Sequence, residues 1–486
     1  MGQYSRRLLE HLAWQRRREQ EWRRIRQIAD AVKNPKHIEL DPLLAIIPDP
    51  QQLEKTVRRI FPKAQTTWRK YHWWQEPDGA IRKIDAAYLY AAIKDAMRRK
   101  GAENPYQLAK KTGTPRGKVS IIHDWLRQAP TVKAKTGTLR RVLDILGIPY
   151  AELEARAAIL DRKFPIDLHS PAIVKLYTQA LNEGHLKRDT STQTSLRYVN
   201  QDPALIRAFI DNVKAAGGWA KILEPSKPGF DAYTDTVTPR ILAAAGLPYG
   251  RKTLTNPHLH PATFKDTEAA KQHLKLTFLE EGYTTFSYGR NRLQLIIGIN
   301  RSRDITQHIP PQTLNQLQQH KGQKIQPTQY FTQNFIDKEL IPNAPKALRE
   351  ERDLIATFIR EKYSVELQPS IVISYLHISK KGEVTANYRL AMRSSEVIDL
   401  FKDIVLTEPL GTWKEHRFNE MLKIYQEYQG RALTQEEKQE VAARTPPHKI
   451  PEDWLIRKAK QLLGDIAPWT RDEEKLKIIT RWYKKQ

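Results

Sequence analysis

The sequence predicts an α+β protein. An αββαββα unit occurs twice as pseudo-symmetric halves whose strands join into a saddle-shaped sheet; an all-α helix-turn-helix domain precedes them and a helical, basic region follows. Three observations predict this. Two apolar helical patterns, "LYTQALNEGHL" and "LKLTFLEEGYTTF", end on the same Glu-Gly step, Glu183-Gly184 and Glu281-Gly282, 98 residues apart. The same order of helix and strand patterns surrounds each step. Between residues 86 and 157, short helices with clear start and stop signals replace that rhythm.

Taken in order, residues 1–85 form a basic helical region. It opens on "MGQYSRRLLEHLAWQRRREQEWRRIR" with a Trp14/Trp22 stripe, suited to lie on a phosphate backbone or on the body of the protein. The cluster "WRKYHWW" (68–74) mixes cations with rings that either stack on bases or build a small satellite core. Within residues 86–157, "AAYLYAAIKDAMRRKG" is an amphipathic helix closing on Gly101. "ENPYQLAKKTG" then has Asn104 as N-cap, Pro105 at the first helical position and Gly113 as stop, and Thr114-Pro115 repeats the device. A further helix, "TGTLRRVLDILGIPYAELE", stops on Gly147. Two short helices about a tight Gly-containing turn are a helix-turn-helix pattern. The stretch "LAKKTGTPRGKVSIIHDW" resembles the phage-repressor type of that motif. The resemblance implies that Arg116, Lys118 and Ser120, at the start of the second helix, reach base edges in a major groove.

Residues 170–254 make the first half and residues 262–414 the second, with a Gln- and Pro-rich stretch, 305–345, inserted in the latter. In its last strand Val384, Ala386, Tyr388, Leu390 and Met392 alternate with Thr385, Asn387, Arg389 and Arg393. One face therefore packs on helices and the other is polar and cationic. Such a face either is merely solvated or lays Arg and Asn on base edges. Arg197 in the first half and Arg290, Arg292, Arg301 and Arg303 in the second extend the cationic chemistry and favour a DNA-reading saddle. Residues 415–486 are helical and basic.

The composition narrows the function. Lys and Arg number 81 against 55 Asp and Glu, a net charge of +26, which points to a polyanionic partner and first to nucleic acid. The absence of cysteine excludes disulfides, Cys-ligated zinc and thiol catalysis. No run approaches the roughly 18 apolar residues of a membrane span, and the N-terminus lacks a secretory signal's apolar core. A soluble protein is expected, nucleoid-associated in a prokaryotic cytoplasm or organellar. His258 and His260 fall in a Pro-rich linker and read as a solvated loop. No Walker loop or G-x-G-x-x-G occurs, which argues against nucleotide-driven chemistry.

The doubled Glu-Gly helices resemble the LAGLIDADG homing endonucleases in their single-chain, two-motif form. "YVNQDPALIRAFIDNV" is similar to that family's Asn-x-Asp-Pro helix start. "AAAGLPYGRKT" is similar to its Gly-x-Pro-x-Gly-x-Lys stretch, and "LTEPLGTWKEHR" is a fainter counterpart after the second copy. The resemblance covers residues 170–420. It implies two motif helices packed side by side, with Glu183 and Glu281 binding Mg2+ or another divalent cation, and Lys252 and Lys414 balancing developing charge. Glu280 leaves open which acid of the second copy faces the site. The implied activity is site-specific, metal-dependent cleavage of double-stranded DNA by a monomer. The alternatives are a non-cleaving DNA-binding regulator and an intron maturase that would bind RNA.

Overall fold

A computed structural model describes residues 3–35, 37–47, 50–99, 101–107, 131–190, 192–225 and 228–480. The chain divides into two units, Met1–Leu168 and His169–Gln486. Both mix helices with short sheets, and the sheets of the second unit are antiparallel. Among the described residues no helix is long and apolar enough to cross a membrane.

The first unit runs α1 (Gln3–Ala31), β1 (His37–Glu39), α2 (Pro50–Ile60), β2 (Gln65–Thr67), β3 (Lys70–Tyr71), β4 (Ile81–Asp85) and α3 (Ala86–Arg99). After the segment that follows α3 come β5 (Thr131–Lys135), α4 (Thr136–Leu146), α5 (Tyr150–Ala155) and β6 (Ile166–Asp167). Trp22 is exposed, while Ile28 enters a core with Leu40, Leu43, Leu53 and Val57. Trp73 and Trp74 are buried, and His72 stacks on Trp74 with ring centroids 4.1 Å apart. Of the two readings of "WRKYHWW", the satellite core is therefore the one these rings follow. Residues 86–157 are not all helical, because β5 pairs antiparallel with β4. Val132 and Ala134 turn inward from an alternating "TVKAK" too short to stand out from a linker. Arg116, Lys118 and Ser120 lie outside the described residues.

The second unit begins with α6 (Pro171–Asn182), β7 (Gly184–Arg188), β8 (Thr194–Asn200), α7 (Pro203–Ala215), β9 (Ala220–Ile222), β10 (Phe230–Thr234), α8 (Thr238–Ala244) and the short α9 (Lys252–Thr255). It continues with α10 (Thr267–Glu281), β11 (Gly282–Gly289) and β12 (Arg292–Asp304). After an irregular stretch containing α11 (Pro311–Leu317), β13 (Lys324–Ile325) and α12 (Gln333–Phe335) come α13 (Lys346–Tyr363), β14 (Ile371–Ile378), β15 (Val384–Met392) and α14 (Ser395–Leu406). Four more helices follow: α15 (Trp413–Tyr428), α16 (Gln435–Arg444), α17 (Glu452–Leu463) and α18 (Glu473–Thr480). The first sheet has strand order β7-β8-β10-β9, and the second β11-β12-β15-β14-β13. The two sheets thus share one order, first-second-fourth-third, with β13 added at the edge of the second.

The irregular stretch is anchored rather than loose, since Leu317, Ile325, Phe331, Ile336 and Leu340 join the main core. The C-terminal helices also belong to this unit: Arg207 on α7 pairs with Asp465, and Phe230 packs on Trp469. Of the two histidines expected in a solvated loop, His258 is exposed and pairs with Glu350, whereas His260 is fully buried and accepts the Ala262 amide.

The Glu-Gly step has a steric cause. Each helix turns directly into its strand, and a Cβ on Gly184 would stand 2.5 Å from the Ala180 Cα. A Cβ on Gly282 would stand 2.4 Å from the Phe278 carbonyl oxygen. No side chain fits at either place without displacing backbone.

Candidate functional site

The helices α6 and α10 pack against each other, and both acids stand where helix gives way to strand. Glu183 caps the C-terminus of α6, and Glu281 is the last residue of α10. Lys252, at the start of α9, donates to the Asn182 carbonyl. Lys414, in the first turn of α15, donates to the Glu280 carbonyl over 2.6 Å. Each amine thus neutralises the partial negative charge at a helix C-terminus. Two cavities open beside this seam. One is lined by Glu281, Lys252, Asn300 and Asn387, the other by Glu183, Lys414, Asp202 and His448.

Electrostatics ties these groups into one cluster. Burial, and next the negative charge of Glu281, pushes the Glu183 carboxyl up to about 7, against the pull of Lys252 and Lys414. Burial lowers both lysines, while Glu281 and Glu183 favour their charged forms. Glu280 of the second motif turns into the seam and also lines the second cavity. It accepts from Asn182 Nδ2 at 2.7 Å and bonds the Tyr198 hydroxyl. Burial raises it to about 8, against the pull of those two bonds. Asp202, fully buried, accepts the Ala204 amide at the start of α7 and the Trp413 amide at the start of α15. Through that one carboxylate, α7 is tied to the helix that carries Lys414.

The seam itself is polar. Thr178 Oγ1 lies 2.9 Å from His273 Nδ1, and His273 Nε2 lies 3.0 Å from Glu351. Arg301 holds Glu351 with two donors and gives Asn182 Oδ1 a third hydrogen bond, 2.7 Å long. Burial would raise Glu351, but the Arg301 guanidinium and His273 hold it at about 2.

Arg301 is accordingly no groove-reading residue. It is buried on the face of β12 that carries Leu293, Leu295, Ile297 and Ile299. Arg303 follows the same parity and spends its guanidinium on the Asn343 carbonyl, 2.6 Å away. Both expectations are corrected by the unbroken period of two along β12. Arg290 sits exposed in the β11–β12 turn, where it and Asn291 take positive φ of 52° and 60°, and Arg292 begins β12 on the open side.

The alternation of β15 is as expected: Val384, Ala386, Tyr388 and Leu390 are fully buried. Thr385, Asn387, Arg389 and Arg393 stand on the other face. There Arg389 pairs in register with Asn300 and Asn387 with Ser302, the latter joined by a 3.2 Å hydrogen bond. Tyr283 lies over Gly298, where a Cβ would approach its ring to 2.2 Å, and Arg389 stands 5.4 Å from the same ring. In the first sheet Arg197 is on the open face but bound to Asp231 through two nitrogens. Its register neighbours His185, Tyr233 and Lys221 complete one row across four strands. These three, with Asn300, Ser302 and Tyr283, were not singled out from the sequence. The alternation that would have marked them is confined to strands of three to five residues or interrupted by glycine.

No family model matches the chain, and no curated protein matches it. Among solved structures it is similar to full-length DUF199/WhiA from Thermatoga maritima, at 12% identity and a TM-score of 0.27, over 66% of this chain and 94% of that one. The resemblance to the LAGLIDADG homing endonucleases is corrected accordingly: no family model matches, and a solved structure to which the chain is similar is described as DUF199/WhiA. Between the two helices this chain places Thr178, His273, Asn182 and Glu280 in a hydrogen-bonded layer.

Proposed function

We propose that residues 169–486 bind double-stranded DNA without cutting it, as a regulator would, and read sequence from the open faces of the two sheets. The observation that carries this reading is the pair of adjacent registers Asn300–Arg389 and Ser302–Asn387, with Thr385 and Arg393 on the same face. Arg matches the two acceptors of guanine and Asn the donor and acceptor of adenine, while a two-stranded ribbon fits a major groove. The surplus of +26 over the whole chain supplies phosphate affinity. The absence of cutting is supported by the lysines, whose amines are engaged with helix-terminal carbonyls.

A second reading, metal-dependent phosphodiester hydrolysis, is favoured by the common cluster of Glu183, Glu281, Lys252 and Lys414. Among the described residues no group of three or more His, Asp or Glu could hold a metal. Mg2+, however, takes one or two carboxylates and fills its octahedron with water and substrate phosphates, so Glu183 and Glu281 suit it. Such an ion would activate water and stabilise the leaving oxygen. On this reading the two carboxylates would hold it, and Lys252 and Lys414 would offset the charge gathering on phosphate.

Selection from a randomised duplex library, with and without magnesium and followed by sequencing of retained DNA and of any new ends, tests both. Enrichment of a motif with intact ends supports the regulator. New ends that vanish in Glu183→Gln and Glu281→Gln support cleavage. Preference for structured intron RNA over every duplex would contradict both.

A further inference from the structure

The outer edge of the first sheet carries a feature that duplex reading does not use. Trp219, just before β9, is 49% exposed, and Tyr233 beside it is 38% exposed. Their rings meet edge to face at 6.3 Å, and the Lys221 ammonium stands 5.6 Å over the indole. Lys221 and Tyr233 are register neighbours, and Lys221 has no ion pair among the described residues. Leu223 continues the same face and is 42% exposed.

The indole does not ride on a loose loop. The Trp219 amide donates to Asp235 Oδ2 at 3.0 Å, and the Asp235 amide returns a bond of 3.1 Å to the Trp219 carbonyl. The other oxygen of Asp235 receives the Val237 and Thr238 amides at the start of α8. The nearby carboxylates are already engaged: Asp231 by Arg197, Glu224 by Lys475 and Asp235 by these amides. A half-exposed ring pair on an anchored backbone, with a cation that has no ion pair among the described residues, thus closes a row that also contains Arg197 and His185.

We propose that Trp219, Tyr233 and Lys221 form a stacking platform for one unpaired base, so that the DNA preferred by this protein is locally opened where it passes the β9 edge. This rests on the DNA-binding reading. An aromatic face accepts any base, and stacking is worth roughly 1–3 kcal/mol per base. A cation above the ring adds attraction for the phosphate that follows the base. Charge complementarity selects nucleic acid over an apolar protein partner.

The test uses the full chain and two short fluorescein-labelled duplexes of one sequence, one perfect and one with a central single-nucleotide bulge of 2-aminopurine. The parent is expected to bind the bulged duplex about tenfold more tightly, with quenched 2-aminopurine emission. Trp219→Ala should lose that preference and the quenching while binding the perfect duplex as the parent does; Trp219→Phe should keep part of both. Unchanged thermal melting checks that both variants fold. Equal affinity of the parent for the two duplexes would overturn the platform and leave DNA binding standing. Failure of the parent to bind either duplex would overturn the DNA-binding reading itself. A Trp219→Ala protein that instead loses self-association would assign the patch to a second copy of the chain and also overturn the proposal.

Discussion

Asn182 donates a 2.7 Å hydrogen bond to Glu280 across the seam between α6 and α10, and each residue immediately precedes the acid of its own motif. Side chains that would merely pack in an apolar seam are here the joint between two halves of one body. Removing Asn182 also frees a buried oxygen of Glu280 and the Arg301 donor that reaches Asn182 Oδ1. Asn182→Ala is therefore expected to cost about 1–3 kcal/mol in a urea melt.

The same joint fixes a pH dependence. Glu280, Glu183 and Asp202 have folded values of about 8, 7 and 6, all above their ordinary carboxylate values. A carboxyl with a raised folded pKa keeps its proton in the fold after the unfolded chain has released it. Its contribution is complete below the unfolded value and is lost as pH rises through the folded one. Stability should accordingly fall between about pH 4 and pH 8 on account of these groups. Glu280→Gln keeps the shape of the side chain and one acceptor oxygen and removes one titration, so its melting temperature should decline less steeply over that range. Parallel profiles for parent and variant would contradict a raised Glu280.

Gly184→Ala and Gly282→Ala test the steric origin of the motif. A methyl group would stand 2.5 Å or less from backbone atoms of the preceding turn. Each change should destabilise by about 1–3 kcal/mol or more, seen as a lower urea midpoint at constant slope. A change confined to DNA binding, with stability intact, would mean that glycine serves a ligand there.

Arg301 and Arg389 lie on the two faces of the second sheet, on neighbouring strands, and should behave oppositely. Arg301→Met strands Glu351, which is fully buried, and is expected to cost about 3–5 kcal/mol of stability. Arg389→Ala should leave stability within about 0.5 kcal/mol and weaken binding to a selected site by about 1–3 kcal/mol.

What the sequence conveyed and what it withheld follow from range. Apolar alternation along β15 sorts Asn387 and Arg389 from Tyr388 and Leu390 because a strand has period two wherever it runs. The same rule applied to Leu293, Leu295, Ile297 and Ile299 places Arg301 and Arg303 inward, since both share that parity. The Glu-Gly steps were legible because a helix turning into a strand leaves room only for glycine. The polar seam was not, since Thr178 and His273 meet across 95 residues, and no local pattern states which faces of two helices touch. His260 gave no signal either, because a Pro-rich stretch reads alike whether it is solvated or packed under Tyr177.

The central claim is that the open sheet faces bind duplex DNA, and an anisotropy titration over a series of salt concentrations tests it most directly. The parent should bind a selected duplex with an affinity that falls steeply as salt rises. A double variant, Asn387→Ala with Arg389→Ala, should melt as the parent does and bind that duplex no better than an unrelated one. Equal binding of the selected duplex by parent and double variant would contradict the claim, as would no binding by the parent at low salt.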